Sequence, residues 1–228
     1  MAKLFQYGVT YIAPLIALMF QALVIFRFFD RRNRNYPLAI IFTLILFLLT
    51  VFAYTLRLRP DLIPFTVRFT DAYNVADLCT YILLLMLMLQ LTHKTLEQLG
   101  EPTQMVLVLA GVSALIAITA YLFFEQDSTR TRQVVSFWMV LLNLFWWTLL
   151  LRKRKVERRV MLLSAGIGLM MTGQVIGDGI LIIANGEFWY LIAAYLIMYL
   201  THYACLYSWF SAFRPGPAEP PAHVTPAL

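Results

Sequence analysis

Residues 188–213 read FWYLIAAYLIMYLTHYACLYSWFSAF, a run of 26 residues that contains no Asp, Glu, Lys or Arg. A helix needs about 20 mostly apolar residues to cross the hydrocarbon core of a bilayer, so this run is long enough to span a membrane. Four further uncharged runs have 19 to 23 residues: 4–26, 35–56, 102–124 and 133–151. Two more, 78–93 and 160–177, are each bounded on one side by a single aspartate and continue as an apolar segment beyond it. The pattern predicts an all-α polytopic membrane protein, a bundle of seven transmembrane helices.

The composition of the whole chain supports this class. Of 228 residues, 61% are hydrophobic and 13% are charged, whereas a soluble domain has about 25% charged residues. Seven spans of about 22 residues use about 154 residues. We therefore expect no room for a soluble catalytic or output domain, which argues against a membrane-anchored soluble enzyme and a one-chain sensor kinase. Residues 1–213 are expected to form the transmembrane domain, and 214–228, with five prolines, a disordered cytoplasmic tail.

The basic residues predict the orientation in the membrane. Twelve of the 18 Lys and Arg fall in the first, third and fifth loops and the C-terminal tail, and six fall in the N-terminus and the other loops. Positive charge is retained on the cytoplasmic side, so we expect the N-terminus outside and the C-terminus inside. Anionic lipid head groups are the expected partners of the basic loops, and the net charge of +6 needs no nucleic acid. The expected head-group contacts are Arg31, Arg32, Arg34, Arg152, Arg154, Arg158 and Arg159.

Two ionisable residues lie well inside predicted spans: Asp77 in the third and Asp178 in the sixth. Such residues are costly in a membrane and mark functional sites. At 1.5 Å per residue, both lie about 7–10 Å below the outer ends of their spans. Polar neighbours follow at helical spacing, Asn74 and Tyr81 around Asp77 and Gln174 before Asp178. The arrangement predicts an outward-facing polar cavity in which one or both carboxylates bind a cationic or hydroxylated ligand or carry a proton.

A structural role is the alternative for the same two aspartates. Their carboxylates would then reach the membrane interface, or pair with an arginine of the adjacent second loop. The arginines available there are Arg57, Arg59 and Arg68.

The predicted sixth span also holds five of the ten glycines of the chain. Gly166, Gly173 and Gly177 fall on one helical face, and small residues on a face let two helix backbones approach closely in a membrane. We expect them to pack against a neighbouring helix of the same chain; a dimer face and a mobile gating helix are the alternatives.

The positions of the histidines and lysines argue against a bound haem or retinal cofactor. His202 lies near the middle of the seventh span and His93 at the inner end of the third, a difference in depth of about 13 Å that disfavours haem b held by two histidines. We expect His202 to make a buried polar contact. All four lysines lie outside the spans, which excludes retinal bound through a Schiff base. No cofactor is predicted, and the sequence has no metal-ligand spacing.

Three stretches carry a resemblance to known proteins: FRFFDRRNRNYPL at 26–38, DAYNVADLCTYILLL at 71–85 and GEFWYLIAAYLIMYLTHYACLYSWF at 186–210. Together with the basic fifth loop, they resemble a set of bacterial seven-helix proteins common among acidobacteria. There is a more distant likeness to the seven-helix input modules of bacterial histidine kinases. The resemblance implies a multi-pass protein of the bacterial inner membrane, and it brings no catalytic residues with it.

These observations predict a non-enzymatic integral membrane module, either a sensor or signal-coupling protein or an accessory subunit of a larger membrane complex. Its expected partner is a membrane protein or a second copy of the chain. The alternative is a small proton- or solute-coupled transporter that uses Asp77 and Asp178, and an intramembrane enzyme or a haem or quinone protein ranks third.

Overall fold

The computed structural model of the protein describes residues 8–28, 36–58, 66–99, 104–124, 128–151, 157–184 and 187–214. These residues form seven α-helices and contain no strand. The helices are α1 (Ala13–Phe28), α2 (Pro37–Leu58), α3 (Thr66–Leu99), α4 (Gln104–Phe123), α5 (Ser128–Leu151), α6 (Arg158–Ile183) and α7 (Phe188–Ala212). The all-α prediction is confirmed for the described residues.

Five of the helices are long and apolar enough to cross a membrane: α2, α4, α5, α6 and α7. They indicate a multi-pass protein embedded in a membrane. α1 has 16 residues, and α3 has 34 residues with charged side chains in both its first and its last turns. The count of seven spans and the placement of the N-terminus outside stay predictions.

Six of the helices close a ring in the order α1, α2, α3, α5, α6, α7, with α7 packed against α1. α3 also contacts α6 across this ring, and α4 lies outside it against α3 and α5. Because the helices alternate in direction, α5 begins where α6 ends. We call this the Asp178 end of the bundle. The opposite end, where α2 and α6 begin and α3 and α7 finish, is the Tyr36 end.

A single π-helical turn, Gly8–Ile12, precedes α1. Pro14 has no N–H to donate to the carbonyl of residue 10, and a wider turn beside a proline is a common result of that missing bond. Pro37 begins α2, where the missing N–H costs little.

Two helices begin before the uncharged runs from which they were predicted. α5 begins at Ser128, ahead of the run 133–151, and includes Arg130 and Arg132 in its first two turns. Similarly, α3 begins at Thr66, ahead of the run 78–93. Arginine is a good helix former, so a helix can continue past the end of an uncharged run.

Several expected features lie outside the described residues. They are the side chains of Asn74 and Asp77, the head-group residues Arg31, Arg32, Arg34, Arg152 and Arg154, and residues 215–228 of the tail. Arg158 and Arg159 lie in the first turn of α6, where Arg158 is exposed and Arg159 half-buried.

α6 and α7 make a close helix contact through the glycines of α6. A Cβ added to Gly166 would lie 2.7 Å from the Trp209 side chain, and one added to Gly173 would overlap the Thr201 side chain. A Cβ at Gly177 would lie 2.5 Å from Met198. The Glu187 N–H donates to the Ala184 carbonyl at 2.7 Å and closes the short connection between the two helices. The glycine face of α6 therefore packs against the next helix of the same chain.

We predict that Gly173→Ala destabilises the bundle, because the new methyl group meets the Thr201 side chain where the two backbones are close. Overpacking of this kind costs on the order of 1–3 kcal/mol. The measurement is reversible unfolding in detergent micelles. Gly111→Ala is the matched control, since an added Cβ there meets nothing within 4 Å and gains about 0.5–1 kcal/mol of helix propensity. Equal effects of the two substitutions would contradict the packing argument.

Candidate functional site

An ion pair joins α5 to α6 near the Asp178 end of the bundle. Arg132 Nη2 donates to Asp178 Oδ1 at 3.1 Å, and Gln174 Nε2 donates to Asp178 Oδ2 at 2.9 Å. Both carboxylate oxygens of Asp178 therefore accept a hydrogen bond from a side chain. The Asp178 side chain is fully buried, whereas 27% of the Arg132 side chain is exposed.

The helices place these three residues without distortion. Gln174 and Asp178 are four residues apart and project from one face of α6, and Asp178 continues the buried stripe of that helix. Arg132 is the fifth residue of α5, so its long side chain reaches inward from about 6 Å below the helix start. Removing water from a carboxylate is costly. Here the cost is offset by the positive charge of Arg132 and by two hydrogen bonds, one donated by Arg132 and the other by Gln174.

The structure gives Asp178 a partner that the sequence did not predict. Sequence reasoning offered arginines of the second loop, whose side chains lie outside the described residues, but the pair forms with Arg132 from α5. Tyr81 is half-buried and packs against the hydrophobic core. Because the side chains of Asn74 and Asp77 are not described, a cavity shared by the two aspartates stays a prediction.

A second polar contact between α5 and α6 was missed by sequence reasoning. Asn143 Nδ2 donates to the Ser164 carbonyl at 2.9 Å and to Ser164 Oγ at 3.0 Å. A Cβ added to Gly168 would lie 2.9 Å from Asn143 Oδ1, so glycine makes room for the amide. The signal was present in the sequence, since Asn143 follows Arg132 by eleven residues and so lies on the same face of α5. An uncharged amide does not interrupt an uncharged run, which is why it was overlooked.

His202 does not join the ion pair. It is half-buried on α7, with its ring centroid 6.3 Å from that of Tyr203. The residues that the structure describes offer it no hydrogen bond, so the polar contact expected for it stays a prediction. Among all the residues that the structure describes, no group of three His, Cys, Asp or Glu could hold a metal ion.

The Tyr36 end of the bundle carries another polar cluster. The Tyr36 hydroxyl donates to Glu157 Oε2 at 3.2 Å, and Glu157 immediately precedes α6. The Lys94 ammonium lies 4.4 Å from the centroid of the Tyr36 ring, close enough for a cation–π contact. The cluster links the starts of α2 and α6 to the last turns of α3. Burial raises the pKa of Tyr36 well above its usual value, and the negative charge of Glu157 adds to the effect.

Comparisons of the chain with protein-family models, with curated proteins and with solved structures find no match.

We predict that Arg132→Leu destabilises the protein, because the Asp178 carboxylate stays buried without its countercharge. Removing one partner of a buried pair costs on the order of 3 kcal/mol, and removing both together with apolar side chains restores much of it. The test is therefore a comparison of Arg132→Leu with the double variant Arg132→Leu/Asp178→Leu by unfolding in micelles. Arg130→Leu, at an exposed position two residues before Arg132 on the other side of α5, is the control. A double variant no more stable than Arg132→Leu would contradict this view of the pair.

A second prediction concerns pH. The pKa of Tyr36 is raised in the folded state, whereas in the unfolded chain it lies near 10. As the pH rises above about 10, the unfolded tyrosine loses its proton first, so folding becomes less favourable by up to about 1.4 kcal/mol per pH unit. The stability advantage of the native chain over Tyr36→Phe should therefore shrink between about pH 10 and 11.5 and be constant below pH 9. An advantage that is independent of pH across this range would refute it.

Proposed function

We propose that the protein is a non-enzymatic integral membrane module that couples one face of the membrane to the other through α6, as a sensor or as an accessory subunit. One observation carries the proposal: α6 is tied to a different helix at each end. Asp178 bonds to Arg132 of α5 near the end of the helix, and Glu157 accepts from Tyr36 beside the start of α2.

The glycine contact makes α6 and α7 a single packed unit. With small residues on one helix and Trp209, Thr201 and Met198 on the other, the two backbones have little freedom to separate. A displacement of this unit at one end therefore reaches the other end. Packed helices respond to such biases by shifts of about 1–2 Å at their interfaces.

The two contacts of α6, Arg132–Asp178 at one end and Tyr36–Glu157 at the other, differ in the signals to which they can respond. The ion pair at the Asp178 end responds to a proton or to a charged ligand, since either one changes the attraction between Arg132 and Asp178. At the Tyr36 end, Glu157 and Arg158 are exposed, and Lys94 is half-buried. These charged groups suit contact with a membrane protein partner or with anionic head groups. We infer that the signal enters at the Asp178 end and is passed to a partner at the Tyr36 end.

A double-mutant cycle tests the coupling. Glu157 and Asp178 are 21 residues apart along α6, or about 32 Å at 1.5 Å per residue. Changes at distant independent sites add to within about 0.5 kcal/mol. We predict that Asp178→Asn and Tyr36→Phe are coupled by more than this in unfolding experiments in micelles or bicelles.

Ser113→Ala combined with Tyr36→Phe is the control cycle. Ser113 accepts a hydrogen bond from Trp138 Nε1 at 2.8 Å, so its loss also removes a real contact, but one between α4 and α5. The control pair should be additive. Additivity in both cycles would remove the basis of the proposal. Proton or solute flux in proteoliposomes that is lost in Asp178→Asn would favour the transporter alternative instead.

A further inference from the structure

The contact between α5 and α6 is a ladder of polar residues. On α5, Arg132, Ser136 and Asn143 are spaced by four and seven residues and therefore share one face. Arg132 bonds to Asp178 and Asn143 bonds to Ser164, so the shared face of α5 is the one that contacts α6.

Ser136 lies between these two contacts. Since the helices are antiparallel, the residue of α6 at its level lies between Asp178 and Ser164, one turn from the ion pair. Gln174 is the polar residue of α6 at that level, four residues before Asp178 on the same stripe. Ser136 is fully buried, and its hydroxyl has no hydrogen-bond partner among the described residues. Buried hydroxyls are hydrogen-bonded in the great majority of proteins, by protein groups or by ordered water.

We propose that Ser136 and Gln174 form a binding site for a water molecule, one turn below the Arg132–Asp178 pair. The chemistry of the side chains selects a small neutral ligand. Asp178 is already neutralised by Arg132, so the site has no net charge to offer an ion. The groups that would bind the water are the Ser136 hydroxyl and the amide oxygen of Gln174, since a buried water needs two to four polar partners.

The ion pair next to the proposed site is partly exposed at the Asp178 end of the bundle. More than a quarter of the Arg132 side chain is exposed, whereas Asp178 is fully buried behind it. The proposed water lies one turn deeper in the α5–α6 contact than this pair. The water site does not depend on the coupling role proposed for α6, and each proposal can be tested without the other.

Ser136→Ala tests the site through the sign of its effect. If the hydroxyl binds water, its removal leaves the water with fewer partners and lowers the melting temperature. If the hydroxyl is buried and dry, its removal takes away an unsatisfied polar group and raises the melting temperature. Ser164→Ala is the positive control, because it deletes a hydroxyl bonded to Asn143 at 3.0 Å and should lower the melting temperature.

A double-mutant cycle that combines Ser136→Ala with Gln174→Leu tests whether the two residues bind one water molecule together. Ser136 and Gln174 have no hydrogen bond to each other, so a common water is what makes their effects depend on one another. We expect Ser136→Ala to lower the melting temperature in the native background and to have little effect in Gln174→Leu. A raised or unchanged melting temperature for Ser136→Ala would overturn the site, and so would a loss of equal size in both backgrounds.

Discussion

The close approach of α6 and α7 sets the positions from which the polar contacts of the bundle are made. Lipid gives helices no hydrophobic reason to associate, so packing and hydrogen bonds must hold them together. Because glycines let the backbones meet, Trp209 Nε1 can donate to the Leu163 carbonyl at 3.1 Å and Ser208 Oγ to the Leu162 carbonyl at 2.7 Å. Wider spacing would leave both donors without acceptors in an apolar setting.

This hairpin then determines which face of α6 is left for the other helices. The glycine face is used by α7, and the stripe that includes Asp178 and Ser164 is turned toward α5 and the ring interior. The polar residues of α6 therefore find their partners on α5. In this contact Asp178 accepts from Arg132 of α5 and from Gln174 of its own helix, and Asn143 of α5 donates to the Ser164 carbonyl.

Helix positions could be predicted from the sequence where the apolar runs end abruptly. Those of α4 and α7 agree with the uncharged runs 102–124 and 188–213 within two residues, because glutamates or an arginine flank them. The starts of α3 and α5 were placed too late, since a charged turn at a membrane interface is still helical. Asp178 and Gln174 could be identified as neighbours from helical spacing alone. Arg132 as the third member could not, because the choice between arginines on different loops depends on which helices are adjacent in the ring.

The partner changes what the buried aspartate can do. An isolated carboxylate within a membrane attracts a cation or a proton. Asp178 already has a guanidinium at 3.1 Å and an amide at 2.9 Å, so a cation would have to displace Arg132 before it could bind. The low dielectric of the interior strengthens the attraction between Arg132 and Asp178, and removing only one of the two side chains is costly. Separating the pair would leave the Asp178 carboxylate buried without its countercharge, so the paired arrangement is strongly favoured. Such a contact suits the proposed relay of a signal better than a site that must bind and release a solute on each cycle.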